Sequence, residues 1–390
     1  MSGSEGGSIR VLHFCKNSPD SPGGMEQVIH QLARGAAAQG VLTDVLHLSR
    51  DPNERGVQSH GYETHRARLD LQLAATGMSA SAFLRFARLA KHADVIHYHY
   101  PWPFMDVVHF ATRARKPALV TYHADITRQK YLSRLYRPLQ QRFLTSVDRI
   151  VATSANYAAS SPVLQHFANK VSVIPIGLDQ ASYPLASGER LAHWQHRLGK
   201  GFFLFVGVLR YYKGLHVLIE AAQGLDFPIV IVGAGPIDAE LKAQAAALGT
   251  RNVQFLGYIP DSDKVALLSL CRGVVLPSHL RAEAFGVSLL EGAMFGKPMI
   301  STEIGTGTTF VNIDGETGIV VPPGDPLALR NAMRSLATDA ALAEAMGKRA
   351  EERYWHEFTA AKMVATYVDV YRGLAKRRGA QDSGDAGFRT

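Results

Sequence analysis

The sequence has little cysteine and lacks any long apolar run, and both absences narrow the class of protein. Only Cys15 and Cys271 occur in 390 residues, which excludes a disulfide framework and is typical of reduced, buried thiols. No stretch reaches the roughly 18–20 consecutive apolar residues that a membrane-spanning helix needs. The Gly/Ser-rich residues 1–8 lack the basic-then-apolar pattern of a signal peptide. We therefore expect a cytoplasmic protein.

Acidic residues are scarce in the first half of the chain only. Residues 1–200 hold 23 Lys and Arg against 14 Asp and Glu, a net charge of +9, whereas residues 201–390 hold 19 against 20, a net charge of −1. This asymmetry indicates that the N-terminal half meets an anionic partner, such as nucleic acid or an acidic membrane face. A basic surface without function is the alternative.

Short β-branched runs alternate with longer helical patterns along the whole chain, which is typical of parallel βαβ units. The length favours two domains. The sequence therefore predicts two doubly wound α/β domains. The predicted strands cover residues 9–14, 43–48, 95–98, 118–122, 149–153 and 171–174, and then 202–207, 228–232, 253–256, 273–276, 299–301 and 318–320.

The boundary between the two domains is expected at a turn-rich stretch, residues 175–179. This gives a first domain over residues 1–178 and a second over 179–358. A last helical pattern covers residues 359–376. The polar, Gly-rich residues 377–390 are expected to be disordered.

The strongest motif for chemistry consists of two glutamates, Glu283 and Glu291, at the start of a predicted helix. Eight residues of helix span at most ~12 Å, which suits the two ends of a nucleotide-sugar. The amides at the helix start could bind the pyrophosphate between them. The alternative is a pair of ordinary surface carboxylates. The residues expected to supply those amides are Phe285, Gly286, Val287 and Ser288.

Two cations follow the strand predicted at 202–207. Arg210 and Lys213 at the carboxyl end of a parallel strand could neutralise a diphosphate leaving group. Gly23 and Gly24 precede a helix and would let backbone amides approach an anion or sugar closely. The alternatives are solvated loop cations and an ordinary tight turn.

A metal ion and a dinucleotide are not expected. His97 and His99 end a strand, but no carboxylate or cysteine stands at ligand spacing. No Asp-x-Asp pair directly follows a predicted strand. The glycine turn Gly233-Ala234-Gly235 resembles a dinucleotide fingerprint, yet Asp238 occupies the position of its third glycine.

Residues 128–144 form a basic amphipathic pattern with Pro138 inside it. Apolar side chains lie on one arc, and Lys130, Arg134 and Arg137 lie opposite. The pattern predicts either an interfacial segment on an anionic leaflet or a helix that packs on the sheet with a solvated basic face.

These motifs together resemble one family. The segment from Glu283 to Glu291 resembles the E-x7-E motif of retaining glycosyltransferases of family 4, which have the GT-B fold. The other landmarks follow in the family's order between residue 9 and about residue 372, namely residues 20–24, 122–125, 174–179, 206–214, 233–236 and 315–318.

The resemblance implies two Rossmann-like domains that face each other across a cleft. Residues 1–178 would bind the acceptor, residues 179–358 the nucleotide-sugar, and the helix at 359–376 would return to the first domain. His123, at the end of a strand, and Gly24 would face the reacting centre.

In the second domain the resemblance implies that Glu283 contacts the donor sugar, Glu291 the ribose, and Arg210 and Lys213 the diphosphate. One position departs from the family's pattern. The family commonly places its arginine directly after Gly207, where this chain has Val208, and Arg210 follows two residues later. Lys213 keeps the expected offset.

The implied reaction is transfer of a hexosyl group from a nucleoside diphosphate sugar to a hydroxyl, with retention and without a metal ion or another cofactor. Residues 11–14, 23–27 and 305–308 resemble bacterial enzymes that build mannose or rhamnose O-polysaccharides of lipopolysaccharide from GDP-sugars. The acceptor would then be lipid-linked or a polysaccharide, at the inner face of the membrane. A UDP-hexose donor is the main alternative.

Three rival functions remain. A nucleotide-sugar epimerase shares the GT-B fold and would release free sugar. A nucleic-acid-binding protein would explain the charge but leave the E-x7-E helix unexplained, so no nucleic-acid partner is expected. A catalytically inactive binding module would tolerate loss of Lys213 or Glu283.

Overall fold

The computed structural model describes residues 8–21, 23–51, 58–59, 61–73, 76–126 and 130–386. They form two compact units. The first unit comprises the chain up to Thr153, Ser161–Gly177 and the chain from Ala360; the second comprises Ser154–Ser160 and Leu178–Thr359. The chain thus passes to the second unit at Gly177, where the expected boundary was 178, and Ser154–Ser160 was not expected there.

The first unit is built on a mostly parallel sheet in the order β10-β9-β8-β7-β1-β2-β4-β3, with a separate two-stranded ribbon, β5-β6. Its strands are β1 (Arg10–Phe14), β2 (Leu42–Ser49), β3 (Gln58–Ser59), β4 (Tyr62–Arg68), β5 (Leu71–Leu73), β6 (Thr76–Met78), β7 (Val95–Tyr100), β8 (Ala118–Tyr122), β9 (Arg149–Ala152) and β10 (Val171–Val173). Its helices are α1 (Gly24–Ala38), α2 (Ala80–His92), α3 (Pro103–Thr112), α4 (Lys130–Ser146), α6 (Pro162–His166) and α15 (Ala360–Ala386), with a short 3-10 turn at Ala168–Lys170.

The second unit is a fully parallel sheet in the order β13-β12-β11-β14-β15-β16. Its strands are β11 (Phe203–Val206), β12 (Ile229–Val232), β13 (Val253–Gly257), β14 (Gly273–Leu276), β15 (Met299–Thr302) and β16 (Gly318–Val321). Its helices are α5 (Ala155–Ser160), α7 (Gly188–Leu198), α8 (Leu215–Ala221), α9 (Asp238–Ala247), α10 (Asp261–Leu270), α11 (Val287–Met294), α12 (Thr308–Val311), α13 (Pro326–Thr338) and α14 (Ala340–Glu357), with 3-10 turns at Gln180–Ser182 and Tyr211–Lys213.

The strand order reverses once in each sheet, as in a doubly wound fold. In the second unit the reversal lies between β11 and β14, and in the first it lies at β1. Loops at the carboxyl ends of the strands diverge at such a point, which leaves room for a ligand. The buried strands β7 and β8 are continuous apolar or aromatic-histidine runs, because helices cover both faces of a parallel sheet.

The last helix belongs to the first unit, where it packs on α1. A side chain at Gly35 would meet the Val364 side chain at 2.6 Å, so the glycine allows the two helices to approach closely. The helix continues to Ala386, ten residues beyond the expected end at 376. The expected disorder from residue 377 is therefore wrong for residues 377–386.

Helix α4 contains residues 130–144 of the predicted amphipathic segment. Its apolar side chains are partly buried and partly exposed. Phe143 packs edge-on against Tyr98 in the core, and the Tyr136 hydroxyl donates to Asp106. Leu135, in contrast, is 79% exposed. Arg128 lies outside the described residues. None of the helices in the described ranges has the length and apolar character needed to cross a bilayer.

Six histidines are buried in the described part of the first unit, and burial lowers the pKa of five of them. The pKa of His13 falls to about 3, and the pKa values of His109 and His123 fall to about 4. The pKa values of His97 and His99 fall well below the usual value. Desolvation is the main cause, because the charged imidazolium loses its hydration. All five are therefore neutral at physiological pH.

We predict that acid weakens the first unit before the carboxylates titrate. Unfolded histidines have a pKa near 6.5, so between about pH 6.5 and 4 the unfolded chain binds protons that the folded chain excludes. The free energy of unfolding therefore falls as the pH falls, by about 1.4 kcal/mol per pH unit for each such histidine. Urea unfolding at pH 7, 6 and 5 measures this slope.

His109→Gln isolates the contribution of one buried histidine to this slope. His109 contacts the Tyr98 hydroxyl through Nδ1 and the Ser146 hydroxyl through Nε2, and glutamine can replace both contacts. The slope should decrease in this variant by the contribution of one histidine, about 1.4 kcal/mol per pH unit. A slope equal to that of the wild type would show that buried histidines do not cause the acid sensitivity.

Candidate functional site

An ion pair between Lys213 and Glu283 lies at the strand-order reversal of the second unit. Lys213 Nζ donates to Glu283 Oε2 at 2.6 Å, and both side chains are nearly buried, with 13% and 11% exposed. Burial alone would lower the pKa of Lys213, but the Glu283 carboxylate outweighs burial and raises it. Lys213 is therefore protonated at physiological pH and lies where water is scarce.

Glycines bring the loops after β11 and β14 together at this pair. Lys213 ends the 3-10 turn after β11, and the next residue, Gly214, has φ +71°. A side chain there would meet the Pro277 carbonyl oxygen at 1.9 Å. Only glycine permits both the backbone angle and the approach.

The glycine turn after β12 also lets two loops approach each other closely. Side chains at Gly233 and Gly235 would meet the carbonyl oxygens of Gly207 and Leu209 at 2.0 and 2.2 Å. The turn packs directly on the loop that leads to Lys213. This close packing of backbone explains the glycines without a dinucleotide.

The start of α11 offers amides beside the ion pair. Gly286, at φ +92°, precedes the helix, and its amide donates to Glu283 Oε1 at 3.2 Å. The amides of Phe285, Val287 and Ser288 donate to no residue that the structure describes. Glu283 therefore uses one of the four expected amides, and three are left for a ligand.

Glu291 lies one turn before the end of α11 and is held by two groups that the sequence did not single out. Its Oε1 accepts from the Tyr183 hydroxyl and from Lys264 Nζ, each at 2.9 Å. Burial opposes the charge on Lys264, but Glu291 and Asp261 raise the pKa of that amine. Both contacts that hold the carboxylate occupy the same oxygen, Oε1.

Arg210 is exposed at the N-terminal end of the turn that contains Lys213. Its positive charge acts to lower the pKa of Lys213, so the two cations lie close enough to interact electrostatically. The side chain of Val208, where the family has arginine, is 47% exposed. The shifted arginine thus stays within electrostatic reach of Lys213.

In the first unit His123 follows β8 directly and is the end of a chain of imidazoles. His123 Nε2 lies 3.1 Å from His99 Nδ1, and His99 Nε2 lies 3.1 Å from His13 Nδ1. His123 Nδ1 makes no hydrogen bond within the described ranges. At the other end, His13 Nε2 is buried without a partner.

The unpaired His13 nitrogen favours one direction of the protons along this chain. A neutral imidazole has one N–H and one lone pair, so the hydrogen bonds must all run the same way. If they run from His13 towards His123, His13 Nε2 keeps only a lone pair and His123 Nδ1 carries a proton. The opposite direction would bury an N–H group without an acceptor, which is rarer in proteins.

Three buried histidines of the first unit lie close enough together to share a metal ion. One ring nitrogen of each of His13, His97 and His99 lies within 4.8 Å of the others. Both nitrogens of His97 are already bonded, to Tyr371 and Thr121, and both nitrogens of His99 to other histidines. The rings of His97 and His99 also stack on each other. The ring nitrogens that a metal ion would need are thus engaged in hydrogen bonds at His97 and His99.

Gly23 and Gly24 precede and begin α1, and neither adopts a backbone angle that requires glycine. Gly23 is extended, and a side chain there would meet only the end of the Glu26 side chain. Gly24 is the first residue of the helix. The backbone angles therefore do not require glycine here, although the absence of side chains still exposes the backbone.

The chain matches two family models over most of its length. Residues 22–182 match the model "Glycosyltransferase Family 4", and residues 189–353 match "Glycosyl transferases group 1". Each model thus covers most of one of the two units.

Two curated relatives match nearly end to end. The chain is 60% identical to D-rhamnosyltransferase WbpZ of Pseudomonas aeruginosa over 353 residues, which covers 90% of this chain and 93% of that protein. It is 47% identical to O-antigen chain mannosyltransferase C of Escherichia coli over 374 residues, which covers 95% of this chain and all of that protein.

Solved structures share the fold at low identity. A sucrose-phosphate synthase from Thermosynechococcus elongatus superposes with a TM-score of 0.79 at 23% identity, covering 94% of this chain and 99% of that one. The lipopolysaccharide glycosyltransferase WaaG superposes with a TM-score of 0.70 at 18% identity, covering 93% of this chain and all of that one. The predicted fold class, two Rossmann-like α/β domains of GT-B type, is confirmed, and the chain belongs to glycosyltransferase family 4 and is a hexosyltransferase.

Proposed function

We propose that the protein transfers a mannosyl or 6-deoxymannosyl group from a GDP-sugar to a hydroxyl of a lipid-linked or polysaccharide acceptor in O-antigen synthesis. The observation that carries the proposal is the nearly buried Lys213–Glu283 pair beside the unpaired amides of α11. The names of the two close relatives, a rhamnosyltransferase and an O-antigen mannosyltransferase, support the sugar and the pathway.

The diphosphate of the donor binds where the cations and amides of the second unit converge. Lys213 and Arg210 supply positive charge, and the amides of Phe285, Val287 and Ser288 supply hydrogen-bond donors at a helix start. These fixed donors stabilise the leaving diphosphate without a metal ion, because they lie where its negative charge grows.

Glu291 binds the ribose, and Glu283 contacts the transferring sugar. Lys264 and Tyr183 hold Glu291 through Oε1, so that the carboxylate is oriented before the nucleotide arrives. Glu283 is oriented by Lys213 and by the Gly286 amide. Two carboxylates oriented by different partners support two different roles.

The reaction proceeds with retention at one face of the sugar. The bond between C1 and the β-phosphate oxygen breaks, and a bond from C1 to the acceptor oxygen forms. The proton of the acceptor hydroxyl passes to the departing phosphate oxygen. Lys213, already protonated, supports the charge that develops on that oxygen.

The first unit binds the acceptor. His123 offers a neutral N–H at Nδ1 to a sugar hydroxyl, and its orientation is held by His99. The exposed backbone at Gly23 and Gly24 lets a sugar approach α1. The basic helix α4, with its exposed Leu135, favours peripheral contact with the anionic inner face of the cytoplasmic membrane.

A panel of nucleoside diphosphates tests the donor assignment. GDP should raise the melting temperature and UDP should not, because a site that hydrogen-bonds the base discriminates strongly. Turnover with the matching nucleotide-sugar, with and without acceptor, then separates transfer from epimerisation, since an epimerase releases free sugar without acceptor. Stabilisation by UDP alone would replace GDP in the proposal, and stabilisation by neither would remove the donor site.

Glu283→Gln and Glu291→Gln should separate the two carboxylate roles. Glu291→Gln loses a charge-assisted bond to the ribose, so nucleotide binding should weaken about tenfold. Glu283→Gln should leave nucleotide affinity within about threefold and slow transfer about 100-fold, because it acts on the sugar during transfer. Calorimetry and steady-state rates give both values. Equal losses of nucleotide affinity in the two variants would overturn the division of roles.

A further inference from the structure

A positively charged cavity lies in the first unit, at the amino ends of the strands. It has a volume of about 610 Å³ and lies between the end of α3, the turn before β8 and the last part of α4. We call it the arginine pocket, after the three side chains that line it. They are Arg113, Arg115 and Arg142.

The lining of the arginine pocket contains three cationic side chains. None of the described residues that line it is acidic. Arg113 and Arg142 form no ion pair within the described ranges. His109, at the back, is neutral because burial lowers its pKa to about 4. The ends of α3 and α4 contribute about half a negative charge each, which leaves the pocket clearly positive.

The backbone at Arg113 is unusual and points to a need for its side chain. Arg113 ends α3 in the left-handed region, with φ 49° and ψ 40°. It is the one residue other than glycine with a positive φ in the described part of the chain. Glycine, or sometimes asparagine, ordinarily occupies this position at a helix end. An arginine in such a conformation is a reason to look for function.

The remaining walls of the pocket are apolar. The guanidinium of Arg142 lies 5.2 Å from the centre of the Phe110 ring, which holds it in place. Leu139 also lines the pocket, and Leu135, one turn earlier on α4, is 79% exposed. The arrangement combines planar cationic groups with an apolar row along the surface.

We propose that the arginine pocket binds a phosphate group, distinct from the donor diphosphate. Guanidinium groups match phosphate oxygens in pairs, and three of them around one cavity favour a doubly charged oxyanion. The phosphate belongs either to a lipid headgroup, with the apolar row along its chains, or to a soluble phosphate ester. The proposal deepens the membrane contact proposed above and does not depend on the donor assignment.

Arg113→Gly is the sharpest test, because glycine is at home at φ 49° and the fold should be kept or stabilised. Arg142→Gln is the second variant. Arg134→Gln, an exposed arginine on the same helix outside the pocket, is the matched control for net charge. Each full-length variant is titrated with inorganic phosphate and with phosphatidylglycerol vesicles.

Two results would support the pocket. If inorganic phosphate binds the wild type and both pocket variants lose at least about tenfold in affinity while Arg134→Gln stays within twofold, the ligand is a soluble phosphate. If only the vesicles bind and the pocket variants lose at least about tenfold against less than fivefold for Arg134→Gln, the ligand is a lipid headgroup. The donor site is intact in all variants and does not affect the comparison.

The same variants can overturn the proposal. If the pocket variants and Arg134→Gln behave alike in both titrations, the positive charge acts only diffusely. If Arg113→Gly lowers the melting temperature while phosphate and vesicle binding are unchanged, the arginine caps the helix and binds no ligand.

Discussion

The ion pair between Lys213 and Glu283 is the interaction on which the second unit's site depends. Two opposite charges so nearly removed from water are stable only if each keeps its partner, because an unpaired buried charge costs about 3–5 kcal/mol. The pair joins the loop after β11 to the loop before α11, and Gly214 lets those loops meet. It also places a fixed positive charge next to unpaired helix amides. A diphosphate entering there would share Lys213 with Glu283 and would not need to bring a cation of its own.

The first unit buries neutral polar rings. Five of the six histidines buried in its described part have lowered pKa values, so these rings carry no charge in the sheet core. The chain from His13 through His99 to His123 connects the inside of the sheet to the end of β8. Charge is also present in this core, where the Asp44 carboxylate is paired with Arg10, and exposed arginines carry further positive charge at the surface.

Much of the fold follows from the sequence, because parallel strands buried on both faces are continuous apolar runs. All twelve predicted strands are present, within one or two residues at their ends. Among the strands that the sequence does not predict, β4 (Tyr62–Arg68) is polar and lies near the sheet edge, so its pattern resembles a loop. The end of α15 was placed too early, because its polar, Gly-rich sequence gives no sign of a helix.

Spacing along the chain predicts a shared site only where the residues stand in one segment. Glu283, Glu291 and the amides between them are close in sequence, whereas Lys264 and Tyr183 reach Glu291 from 27 and 108 residues away. No local pattern marks such partners. The same limit applies to the imidazole chain, since His13 and His99 meet only because β1 pairs with β7.

A double-mutant cycle on Lys213→Met and Glu283→Gln tests the central claim most directly. The quantity measured is the affinity for the nucleoside diphosphate that stabilises the protein, by calorimetry, in the wild type, both single variants and the double variant. Lys213→Met should weaken binding about 100-fold, and Glu283→Gln should improve it about threefold, since it releases Lys213 to the phosphate. That improvement should vanish without Lys213, giving a coupling of about 0.6 kcal/mol. Additive effects, or unchanged affinity in Lys213→Met, would contradict the account.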